Sequence, residues 1–249
     1  DFCLGFPSSA CYFMNSIKSL SADYISMEKT KVCIVEVMGR ETGWLAASAS
    51  LIEKEFRPDL IFIPEQNLTL KDILTKVKKV YEKKHKCLIV ASEGIKIKEI
   101  KIKEKDSHGN LLLEGYVGKY LQEQIQNKLN IGCRVILPSL LTRSNPFFIS
   151  KVDQEMAVRV GSFAFKAATN GRTGIMVGIK RILNNPAKWC LTMPPLEKVE
   201  HKTRFMDSLY IDKEGEFTKY FETYLRPLVN DLVPISTTNG SVDLLKFKK

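Results

Sequence analysis

Four stretches put polar or charged side chains at the ends of apolar runs. Residues 35–47 read VEVMGRETGWLAA: the apolar run stops at Met38-Gly39-Arg40, and a small-residue pattern with helical spacing begins near Gly43. A glycine at such a turn lets a ligand approach the backbone closely. Arg40 adds a planar, permanently charged fork suited to phosphate, and a helix N-terminus adds its own pull on anions. The turn therefore suits a phosphorylated small molecule. On local chemistry alone an ordinary strand-to-helix turn with a solvated arginine is the commoner case, because such turns are frequent in α/β folds. Pro64-Glu65 ends the run 59–64, Ser92-Glu93-Gly94 follows residues 87–91, and Arg143 closes the stretch 138–143 after a run beginning at Arg134.

These positions make sense only if the runs are strands of one kind of sheet. Helical spacing is expected over residues 9–22, from about 43 to 55, over 70–84 with Thr69 as cap, over 114–129 and over 151–170, stopping at Gly171. Solid apolar runs at 32–37, 59–64, 87–91, 134–138 and 174–179 read as strands, and Lys96 to Lys103 alternates like a half-exposed one. The alternation predicts an α/β fold with parallel sheets sandwiched by helices. Ligands in such sheets bind beyond the carboxyl ends of the strands, which is where the four stretches lie. After Pro194-Pro195 the pattern loosens into a mixed tail with one helix over 216–225.

Composition narrows the class. The 249 residues are 44% hydrophobic, enough for one large or two modest domains. No apolar run reaches the length of a membrane span, and no basic-then-apolar leader is visible. The chain begins at Asp1 rather than Met, so its natural start is expected elsewhere. The net charge of +10 comes from dispersed lysines without a basic stripe of interleaved aromatics, which argues against nucleic acid. The six cysteines, Cys3, Cys11, Cys33, Cys87, Cys133 and Cys190, form no C-x-x-C pair, and a reduced cytoplasmic protein is expected. His85, His108 and His201 read as surface residues.

In order along the chain, these residues resemble the phosphofructokinase family, which phosphorylates the 1-hydroxyl of fructose 6-phosphate in glycolysis. Val35 to Arg40 followed by Gly43 looks like its sugar-phosphate motif, and Ser92-Glu93-Gly94 like its next sugar-binding turn. Arg134 and Arg143 match its phosphate-binding pair, and Asp1 to Ala10 looks like the stretch just after its catalytic loop. The wording around Met38 to Leu45, Ser150 and Asp153 before the long helix, and the tail segment 221–228 is similar to the pyrophosphate-dependent subgroup.

The resemblance implies that Met38, Gly39 and Arg40 line the fructose, with Arg40 near the phosphoryl group in transfer. Glu93 would accept hydrogen bonds from sugar hydroxyls. Arg134 and Arg143 would hold the 6-phosphate, with Arg134 reaching across a subunit interface of a homo-oligomer that shares its active site, and Lys31 would help neutralise charge. It divides the chain into an acceptor-binding α/β domain (1–141), a helix and strand returning to the donor domain (142–195) and the tail (196–249). Positioning and charge neutralisation are the main needs of phosphoryl transfer.

Leu140 stands where many relatives have a phosphate-contacting His or Tyr, and Thr142 where a Gln is usual. The family's Gly-Gly-Asp-Gly donor turn and catalytic aspartate loop occur nowhere in the chain, so the N-terminal part of the phosphofructokinase-like fold is expected to be missing. The general base would then lie upstream of residue 1; Asp1 and Asp23 are poor substitutes, because terminal residues are seldom held rigidly. Pyrophosphate or ATP with Mg2+ is expected for the full-length enzyme, and no residue of this chain is assigned as a metal ligand. The remainder belongs to a separate chain, is removed by cleavage, or is left out of the stretch in hand. The alternative is a non-catalytic fragment or degenerate relative that binds a sugar phosphate, or serves as a regulatory or assembly subunit.

Overall fold

The computed structural model describes residues 1–28, 30–100, 102, 104, 105, 107, 109 and 111–244. The chain divides into two compact units: residues 1–12, 142–202 and 223–249 form one, and residues 13–141 and 203–222 the other.

The second unit holds the parallel sheet. Its strands are β1 (Val32–Val37), β2 (Leu60–Phe62), β3 (Cys87–Ser92) and β4 (Cys133–Ile136), in the order β2-β3-β1-β4 with every neighbouring pair parallel. β1 and β3 are buried at every position, as solid apolar runs between two layers require. On one face Val32, Ile34, Ile89, Ala91 and Cys133 form a core with α3 (Leu70–Lys84) and α4 (Tyr116–Leu129), through Ile73, Val77, Leu121 and Ile125. The other face, with Cys33, Val35, Val37, Leu88 and Val90, is buried as well.

Helix α3 has the expected bounds, and its cap is reciprocal: Thr69 accepts from the Asp72 amide while Asp72 accepts from the Thr69 amide. Helix α1 runs over Phe6–Ser26, longer than expected at both ends. The helix expected over 43–55 is shorter. Helix α2 covers Trp44–Ser48, a 3-10 turn covers Ala49–Leu51, and Ile52 is extended at ψ 143°. The run from Lys96 is not a strand in its described residues. Ile95 and Ile97 are buried and Lys96 exposed, as alternation predicts, but the Ile100 amide turns back to the Ile97 carbonyl. Lys101, Lys103 and His108 lie outside the described residues.

The first unit centres on α6 (Lys151–Thr169) and an antiparallel hairpin of β5 (Gly178–Asn184) and β6 (Ala187–Thr192). The strand expected at 174–179 thus begins later, and its partner was not anticipated. Only the turn at Asn185-Pro186 joins the two strands, too little chain for a parallel crossover. α5 (Leu141–Ser144) stands at the unit boundary, α7 covers Lys219–Val229, and β7 (Thr237–Thr238) with β8 (Ser241–Val242) forms a second ribbon. No helix among the described residues is long and apolar enough to cross a membrane.

All six cysteines are free. Burial pushes the Cys33 thiol up to about 11 and that of Cys133 up to about 12, so both behave as small hydrophobes. His85 and His201 are exposed.

Candidate functional site

Parallel strands bring their carboxyl ends to one edge of the sheet, and there the turns after β1, β2 and β3 interlock. The Gly39 amide donates to Glu93 Oε1 at 3.1 Å, the Ser92 hydroxyl donates to the Gly39 carbonyl at 2.9 Å, and the Glu93 amide donates to the Val37 carbonyl at 3.0 Å. Gly94 explains its own residue type: a Cβ there would stand 2.3 Å from the carbonyl oxygens of Gly39 and Arg40. Met38, Gly39, Arg40 and Glu93 are therefore brought together at this edge. The Arg40 guanidinium is exposed and donates to the Leu111 carbonyl at 2.9 Å.

The turn after β2 supplies a carboxylate that no residue-level signal singled out beyond its place at the edge. Glu65 accepts from the Gly43 amide through both oxygens, at 3.2 and 3.0 Å, and from the Met206 amide at 3.4 Å. Burial raises the carboxyl pKa of Glu65, which the Gly43 and Met206 amides partly offset. Glu93 is also raised by burial, with the Gly39 amide and the Arg40 charge pulling the other way.

Two predicted residues lie elsewhere in the same unit. Arg134 is the second residue of β4, opposite Cys33, and Lys31 precedes β1 beside Gly132. Both are exposed at the amino end of the sheet. Roughly 16 Å of strand separates Cys33 from Met38. Neither Arg134 nor Lys31 joins the Gly39–Glu93 cluster. Arg143 is exposed in α5 and belongs to the first unit. Beside it Leu140 is 57% exposed, while Thr142 is buried with its hydroxyl unpartnered among the described residues.

Asp1 departs from expectation. Its side chain is 5% exposed, and Oδ2 accepts from Arg181 Nε at 3.0 Å and Trp189 Nε1 at 2.7 Å. It is rigidly held, contrary to the argument from position alone, but two donors already occupy that oxygen. Asp23 is exposed. Among the described residues no group of three or more His, Cys, Asp or Glu could hold a metal ion.

The family model described as "Phosphofructokinase" matches residues 1–168. The chain is 34% identical to the sulfofructose kinase of Alkalicoccus urumqiensis, over 98% of this chain and 64% of that protein. It is 33% identical to the pyrophosphate–fructose 6-phosphate 1-phosphotransferase of Xanthomonas campestris, over 99% of this chain and 61% of the relative. Among solved structures, the pyrophosphate-dependent phosphofructokinase from Marinobacter aquaeolei superposes with a TM-score of 0.80 at 27% identity, over 99% of this chain and 62% of that one. The chain thus spans about six-tenths of the length of the relatives it matches.

Proposed function

The chain belongs to the phosphofructokinase family, and from that premise we propose that it carries the acceptor-binding part of a pyrophosphate-dependent 6-phosphofructokinase. The observation that supports this best is the 3.1 Å bond from the Gly39 amide to Glu93, which couples the two turns that would cradle the sugar. In this reading Met38 and Gly39 line the fructose, and Glu93 accepts from its hydroxyls. Arg40, exposed above the edge, meets the charge that develops on the transferred phosphoryl group. Preorganised donors of this kind act without rearranging at the moment of transfer.

The roles of the other residues rest on the resemblance alone. Arg143 is assigned to the 6-phosphate, Arg134 to the 6-phosphate of a second subunit in a homo-oligomer, and Lys31 to general charge neutralisation. The proton acceptor for the 1-hydroxyl and the site for pyrophosphate and Mg2+ are assigned to the part of the relatives' length that this chain does not span.

An assay of the full-length protein with fructose 6-phosphate and each donor tests the proposal. Turnover with pyrophosphate is expected, and Arg143→Ala should weaken acceptor binding by about 1.5–3 kcal/mol, the worth of a charge-assisted hydrogen bond. Absence of turnover with both donors would favour the non-catalytic alternative. The 249-residue chain alone is expected to bind the acceptor without transferring phosphate.

One observation favours a second acceptor. The Leu140 side chain cannot donate a hydrogen bond and the Thr142 hydroxyl is buried, so the stretch before Arg143 offers few side-chain donors to an anion. A sulfonate carries one charge where a phosphate carries up to two, and one relative is a sulfofructose kinase. Comparing kcat/KM for the two acceptors decides between them.

A further inference from the structure

The segment 203–222 returns to the same unit as the parallel sheet, and its first residues run across the carboxyl-edge turns. The Thr203 hydroxyl donates to Glu41 Oε2. The Trp44 indole donates to the Arg204 carbonyl at 2.8 Å, and the Arg204 guanidinium lies 5.1 Å from the Trp44 ring centroid. Arg204 also donates to the Tyr210 hydroxyl at 3.0 Å, and Gln66 Nε2 donates to the Gly215 carbonyl at 2.7 Å. One carboxylate bridges the strap and the acceptor turn directly: Glu65 accepts from the amide of Gly43, which closes the Met38–Gly43 turn, and from the amide of Met206 within the strap. The packing beneath it leaves no slack, since a Cβ on Gly43 would sit 2.3 Å from Ile63 Cβ.

We propose that Glu65 is a positioning residue for the acceptor site: by holding the Gly43 and Met206 amides together it lets the 203–215 strap set the geometry of the Met38–Arg40 turn. This rests on the acceptor role given to that turn above. Glu65 touches neither sugar nor phosphate in this scheme; it acts through the backbone that presents Gly39 and Arg40. Only an acceptor site of fixed backbone geometry gains from such a clamp, because small displacements of positioning groups carry large kinetic costs.

The test uses the full-length protein with Glu65→Ala and Glu65→Gln. Alanine removes both bonds. Glutamine keeps the shape and one acceptor oxygen, so it disturbs the fold least and should give an intermediate effect. Glu65→Ala is expected to raise KM for fructose 6-phosphate by about tenfold and to lower kcat as well, because Arg40 sits on the same turn, while KM for pyrophosphate changes by less than about twofold. Amide hydrogen exchange should speed up in peptides covering 39–46 and 203–208 and nowhere else in the unit. Faster exchange with unchanged acceptor KM in both variants would overturn the positioning role, and so would unchanged exchange. A wild-type protein that turns over no fructose 6-phosphate would instead sink the functional reading, while the exchange comparison would still report whether Glu65 clamps the turn.

Discussion

Glu36 is the penultimate residue of a strand buried along its whole length, and it is 3% exposed there. A carboxylate in such a place needs donors. The Gly115 and Gly118 amides, at the start of α4, supply them. Burial still dominates: it raises the Glu36 pKa above the ordinary 4.5, the two amides pull it down, and Glu93 and Glu114 push it up. A carboxyl raised in the folded state binds its proton more tightly there than in the unfolded chain. The stability this contributes is complete below about pH 4.5 and is lost as pH rises through the raised folded value. Urea unfolding followed from pH 4.5 upward should therefore show stability falling more steeply in the wild type than in Glu36→Gln. Parallel slopes would remove Glu36 as the source.

At the scale of elements, one side chain ties two helix starts together. Ser150 caps α6 by accepting from the Asp153 amide at 3.3 Å. Asp153 faces away from that bond and takes the Gly5 amide at 2.8 Å, the Ser8 amide at 3.3 Å and the Ser8 hydroxyl at 2.6 Å, at the start of α1. Asp153 is 5% exposed. Removing its carboxylate leaves three partly buried donors without that acceptor, so Asp153→Ala should cost about 1–3 kcal/mol of stability. Thermal and urea unfolding of the variant measure this, and a loss under about 0.5 kcal/mol would show that water satisfies those donors instead. Periodicity made the bounds of β1 and α3 readable, because each carries one clean pattern. It could not show that Asp153 joins residues 5 and 8, that Asp1 meets Trp189, or that Glu65 meets Met206. Those are contacts between distant parts of the chain, and no local spacing encodes them. The rule that ligands sit at carboxyl ends found Gly39, Glu93 and even Glu65, while Arg134 and Lys31 entered by resemblance and stand at the opposite end of the strands.

On the whole molecule, the sharpest departure from an ordinary surface is helix α6. Only Asp153 and Met156 of its side chains are buried. Val158, Gly161, Phe165 and Ala168 repeat at helical spacing along one side, and all four are exposed, Val158 at 65% and Phe165 at 70%. A helix that carries an apolar stripe normally buries it, and isolated proteins rarely leave such a stripe in water. The 249-residue chain should consequently bind the dye anilinonaphthalene sulfonate and associate as its concentration rises. Replacing Phe165 with Glu should remove most of both effects while leaving the Met38–Arg40 turn of the other unit untouched. The chain spans about six-tenths of its relatives' length, and a protein extended to that full length is expected to bind less dye per molecule than this chain. Equal dye binding by the two, or sedimentation as a monomer at high concentration with Phe165 intact, would mean that the stripe is stable in water as it stands and needs no cover.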